Sequence, residues 1–85
     1  MRSRTTKTFW RCFAAVPPEV QVQAARAYRL WRTNPAHPSL RLKKIGRGSI
    51  YSLRITRNHR ALGSLEGDTM LWFWIGSHED YERML

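Results

Sequence analysis

The sequence predicts an α+β domain: an N-terminal helical hairpin packed on a four-stranded antiparallel sheet, followed by a short C-terminal helix. Three observations predict it. Apolar residues recur at helical spacing near the N-terminus. They alternate with a period of two further on. Turn-forming residues separate the alternating runs.

Met1 to Lys7 reads as a basic polar lead-in. Phe9, Cys12, Phe13 and Val16 follow at i, i+3, i+4 and i+7, the spacing of a helix face. Pro17-Pro18 stops this helix and opens the next, since proline is tolerated in a first turn. The second helix is expected from about Pro18 to Thr33. Val20, Ala24, Ala27, Tyr28 and Trp31 share one face, and Asn34-Pro35 ends it. His37 reads as a loop residue bonded to backbone. Leu40 and Leu42 alternate with Arg41 and Lys43, the pattern of a half-buried strand. Gly46-Arg47-Gly48 is a turn. Tyr51, Leu53 and Ile55 alternate with Ser52, Arg54 and Thr56 in a second strand. Arg57-Asn58 turns the chain into a third, His59 to Leu65. Glu66-Gly67-Asp68 is a hairpin turn, and Met70 to Ile75 reads as a strand covered on both faces. Ser77 caps a last helix with Glu79 and Asp80 in its first turn, where the helix dipole favours acids.

A chain of 85 residues holds one domain, so residues 1–85 are expected to form a single unit. Four Trp, three Tyr and three Phe are too many for a disordered tail. No apolar run approaches the ~18 residues of a membrane span, so no membrane partner is expected. Met1-Arg2-Ser3-Arg4 has no apolar segment behind it, and one cysteine, Cys12, allows no internal disulfide. These features predict a small soluble cytoplasmic protein.

The charge narrows the partner. Fifteen Lys and Arg oppose six Asp and Glu, a formal +9. From Gln21 to Leu65 there is no acid, while Arg26, Arg29, Arg32, Arg41, Lys43, Lys44, Arg47, Arg54, Arg57 and Arg60 all fall there. Such a stretch repels itself and calls for a polyanion. Twelve of the fifteen cations are Arg, whose planar fork pairs with phosphate. Arg54 and, close across the Arg57-Asn58 turn, His59 or Arg60 should share one face of the sheet near His78 and Tyr81, a register slip of one residue deciding between the two. Arginine stabilises charge on phosphoryl oxygens, histidine moves protons near neutral pH, and tyrosine stacks on bases. Cleavage of RNA without a metal needs such groups. The basic middle holds no carboxylates for Mg²⁺, so neither a metal nor any other cofactor is expected.

Four segments carry a resemblance. They are Leu30 to Pro35, His37 to Lys44, Tyr51 to Ile55 with His59 to Gly63, and Phe73 to Tyr81. With the order of elements, they resemble the RelE/ParE superfamily of toxins from bacterial type II toxin–antitoxin modules, in particular its RelE/HigB-like branch. The resemblance implies a ribosome-dependent, metal-independent mRNA endonuclease that inhibits translation and is silenced by a cognate antitoxin. Arg54 and Arg60 match the positions that hold the scissile phosphate in that family. His78 matches a residue used in proton transfer or charge stabilisation, and Tyr81 one that contacts the substrate. Arg41, Lys43, Lys44, Arg47, Arg57 and His59 are the candidate contacts to RNA backbone. Other RelE-like members carry Lys where this chain has Ser52 or Arg54, and Arg where it has His78. A ParE-like poison of DNA gyrase and a non-catalytic nucleic-acid-binding module are the alternative readings. A dry apolar groove on or beside the hairpin is expected to seat the antitoxin.

Overall fold

The computed structural model describes residues 1–84. Helix α1 (Lys7–Ala15) starts at Thr6, whose Oγ1 accepts from the Phe9 amide at 3.0 Å. Val16 is extended, and Pro18 opens helix α2 (Pro18–Thr33). The corner between them is tied by Gln21, whose Nε2 donates to the carbonyls of Phe13 (3.0 Å) and Val16 (3.4 Å). Those carbonyls lie at a helix end, where backbone donors run short; that of Phe13 also accepts from the Val16 amide at 3.4 Å. Val20, Ala24, Ala27 and Trp31 are the buried stripe of α2; Tyr28 is half-buried. The hairpin and the span of its second helix are as expected.

The sheet has five strands, in the order β1-β5-β4-β3-β2. Strands β2 (Lys43–Lys44), β3 (Ile50–Thr56), β4 (His59–Glu66) and β5 (Thr69–Ser77) form the expected antiparallel meander. The fifth strand, β1 (Arg2–Thr5), is a correction: the basic lead-in pairs in parallel with β5, Arg2 opposite Thr69 and Thr5 opposite Trp72. Its residues show no apolar alternation because β1 joins the sheet through backbone bonds. Its ends are fastened by the Arg2 amide to the Asp68 carbonyl (2.7 Å) and the Thr6 amide to the Trp72 carbonyl (3.1 Å).

A second correction concerns Leu40 to Lys43. Pro38–Leu40 is a 3₁₀ turn, capped where His37 Nδ1 accepts from the Ser39 amide at 3.2 Å, and Arg41 is left-handed at φ 42°. Only Lys43 and Lys44 pair with β3. Proline at the first position of the turn overrides the two-residue alternation of Leu40 and Leu42.

Between β4 and β5 the two-residue turn starts with Gly67 at φ 61°, a conformation that favours glycine. A register shift at Leu62/Gly63 leaves Phe73 without a partner. Hence Met70, Trp72 and Ile75 all reach the core from β5 despite their unequal spacing. This bulge accounts for the continuous apolar run. Trp72 is buried, while Phe73 and Trp74 are half-buried. At the centre of the core Trp31 meets Trp72 edge-to-face, with centroids 5.2 Å apart. Among the described residues no helix is long and apolar enough to cross a membrane.

Candidate functional site

Register decides what the sheet presents. Tyr51, Leu53 and Ile55 of β3 pack toward the core under the hairpin, so Ser52 and Arg54 face the other way. Arg54 pairs directly with Arg60 of β4, and Lys43 with Ser52, which brings Lys43, Arg54 and Arg60 to that second face. Opposite residues in an antiparallel pair hold their Cβ atoms about 4.5–5.5 Å apart. Two arginines therefore stand side by side. Thr56 leaves this row: a bulge precedes it, and its hydroxyl lies 3.1 Å from His59 Nδ1.

The last helix, α3 (His78–Met84), completes the site. Ser77 caps it as expected, its Oγ accepting from the Asp80 amide at 3.0 Å. The His78 amide donates to the Asn58 carbonyl at 2.6 Å, fastening the start of α3 to the β3–β4 turn. His78 Nδ1 accepts from Arg60 Nε at 3.2 Å, and His78 Nε2 lies 2.7 Å from Glu82 Oε1. The Arg60 guanidinium lies over the Tyr81 ring, 5.6 Å from its centroid. The His78 ring stacks on the same tyrosine at 5.8 Å.

Arg60 is half-buried, and its Nη1 has no hydrogen-bond partner among the described residues. Neither Arg54 nor Arg60 is within 4.0 Å of a carboxylate among those residues. Two adjacent guanidinium groups with no carboxylate partner suit an anion carrying several oxygens. Tyr81, by contrast, is only 6% exposed. Its ring backs Arg60 and His78 and does not lie open for stacking on a base.

Gly76 sits opposite Arg60, beneath the Trp74 ring. A Cβ at Gly76 would collide with that ring. Gly76→Ala should therefore displace Trp74 and cost about 1–3 kcal/mol, read as a lower midpoint in urea denaturation.

The sequence matches the family model for the ParE-like toxin domain over residues 18–83. The chain belongs to the ParE-like toxin domain family. The expected membership of the RelE/ParE superfamily of toxins is borne out. No curated protein matches the sequence. Several solved structures share the fold, three of which follow. A chain of the RelB–RelE antitoxin–toxin complex from Methanococcus jannaschii superposes with TM-score 0.79 at 19% identity, over 96% of this chain and 98% of that one. YafQ from E. coli strain BL21(DE3) gives 0.77 at 8% identity, over 95% and 98%. A YoeB/ParE toxin from Agrobacterium tumefaciens gives 0.73 at 15% identity, over 92% and 99%.

The remaining candidate residues of this ParE-like toxin divide by position. Arg41, Arg47 and Arg57 are exposed in the turns around β2 and β3. Lys43 shares the Arg54 face, whereas Lys44 pairs with Tyr51 and belongs to the hairpin side. His59 is also absent from the arginine face: it alternates with Arg60 and lines a crevice with Cys12, Val16 and Pro17. Glu82 was not a sequence candidate. Its i,i+4 spacing from His78 was the available signal.

Beneath the hairpin lies an apolar cavity of about 170 Å³, lined by Phe9, Trp10, Phe13, Tyr28, Leu53 and Trp72. Trp10 at its rim is 52% exposed. A hydrogen bond from Ser3, then one from Arg32 at 3.1 Å, hold the Tyr28 phenol below its ordinary value against the opposing effect of burial.

Proposed function

We propose that residues 1–85 act as a single toxin domain that enters the ribosome and cuts mRNA without a metal, in the cytoplasm. The observation that carries this reading is the Arg60 guanidinium. It is held by His78 and Tyr81 directly beside Arg54. In the proposed reaction Arg54 and Arg60 hold the non-bridging oxygens of the scissile phosphate. His78 Nδ1 takes the proton of the 2′-hydroxyl as Arg60 turns its donors to the phosphate. The 2′-oxygen bonds to phosphorus, the bond to the 5′-oxygen breaks, and that oxygen takes a proton from a water, whose hydroxide recovers a proton from the His78 imidazolium. The products are a 2′,3′-cyclic phosphate and a 5′-hydroxyl. Lys43, Arg41, Arg47 and Arg57 would hold neighbouring backbone phosphates.

A cognate antitoxin would silence the protein. The apolar cavity with its exposed Trp10 supports such a partner, as does the description of one structural relative as an antitoxin–toxin complex. Acids on that antitoxin would answer the basic face.

Inducing the chain alone should arrest growth and leave cuts within translated codons. Intact transcripts during arrest would sink the nuclease reading. Should arrest come with DNA-damage signalling and whole mRNA, the target is DNA gyrase, a reading favoured by the ParE-like description of the matching family.

A further inference from the structure

Three side chains from two elements make a continuous chain of hydrogen bonds: Glu82 to His78 at 2.7 Å, and His78 to Arg60 at 3.2 Å. Arginine only donates, so His78 Nδ1 must be the acceptor. A neutral imidazole then carries its proton on Nε2 and directs it at the Glu82 carboxylate. The ring plane is held by stacking on Tyr81. Of the other acids of α3, Glu79 and Asp80 are paired with Arg83 at 3.1 and 3.3 Å. Among the described residues Glu82 alone bonds the His78 ring from behind.

We propose that Glu82 is a positioning residue. Its carboxylate holds His78 in the Nε2–H tautomer, so that the Nδ1 lone pair accepts from Arg60 at rest and takes the proton of the 2′-hydroxyl once Arg60 turns to the phosphate. The catalytic consequence rests on the nuclease reading above; the hydrogen bond does not. A carboxylate behind an imidazole fixes the ring and stabilises the imidazolium that forms when the other nitrogen takes a proton. Before substrate binds, the same contact also orients Arg60, because Nδ1 accepts from Arg60 Nε.

The test compares the full chain with Glu82→Ala, Glu82→Gln and Glu79→Ala, and repeats Glu82→Ala in a His78→Ala background. The His78 ring is observed by long-range ¹H–¹⁵N NMR, and mRNA cleavage on ribosomes is followed in single turnover. The wild-type chain should show a protected His78 Nε2–H. Glu82→Ala should lose that protection and cleave roughly 10–100-fold more slowly. Glu82→Gln, which keeps an acceptor but loses the charge, should retain the protection and fall between. Glu79→Ala should change neither signal. In the His78→Ala background Glu82→Ala should have no further effect, which a merely structural role would not produce. Wild-type cleavage by Glu82→Ala, an unchanged Nε2–H signal, or an equal loss in the His78→Ala background would overturn the proposal. If the wild-type chain cuts no RNA while the His78 signal still depends on Glu82, the nuclease reading fails and the Glu82 contact stands.

Discussion

Arg60→Ala should lower single-turnover mRNA cleavage by about 10²–10³-fold, the cost of removing one donor from a charge-stabilising clamp. The loss should fall on the rate at saturating ribosomes, because charge on the phosphoryl oxygens grows toward the transition state. Arg60→Lys is the sharper variant. It keeps the positive charge but loses the planar fork and Nε, the atom that donates to His78 at 3.2 Å. It should recover only a small part of the rate. The fold should survive both changes, since Arg60 forms no ion pair among the described residues and its Nη1 is buried without a partner. Circular dichroism and a denaturant melt separate this outcome from unfolding. Wild-type cleavage by Arg60→Ala would remove the arginine pair from the mechanism.

The largest loss of stability should come from Trp31→Ala. Trp31 is 2% exposed and sits between α2 and the sheet, edge-to-face with Trp72. Removing so large a buried side chain leaves a cavity and costs about 3–5 kcal/mol. A small domain holds only about 5–15 kcal/mol in total. With a urea m-value of about 1–3 kcal/mol/M, the midpoint should fall by at least 1 M. Trp31→Phe should lose much less. It keeps a ring against Trp72 and removes an indole N–H that is buried with no hydrogen-bond partner among the described residues. Equal midpoints for Trp31→Ala and the wild-type chain would show that this contact does not hold the hairpin on the sheet.

The legible parts of the fold were those written in side-chain periodicity. The α2 stripe, strands β3 to β5 and the two-residue turn opposing Arg54 and Arg60 all follow from apolar spacing and turn chemistry. What stayed illegible depends on other interactions. Strand β1 is held by backbone bonds to β5, and Arg2 to Thr5 carry no pattern that announces it. Leu40 is buried as its pattern suggests, yet Pro38 and left-handed Arg41 bring it in from a turn. At the site, the proximity of Arg60 and His78 was readable. The burial of Tyr81 beneath them was not, because the packing angle of a short helix is a tertiary property. Glu82 was hidden for a related reason: its spacing from His78 is common on exposed helices, and only the Arg60 contact gives that pair a direction.

Both outer strands of the sheet are cationic: β1 carries Arg2 and Arg4, and β2 is Lys43-Lys44 alone. Unpaired strand edges invite edge-to-edge joining with other copies, which charged and very short edge strands oppose. Two copies approaching edge to edge therefore meet like charges, whichever edges they present. The charge that suits this toxin to a polyanion also discourages it from polymerising with itself.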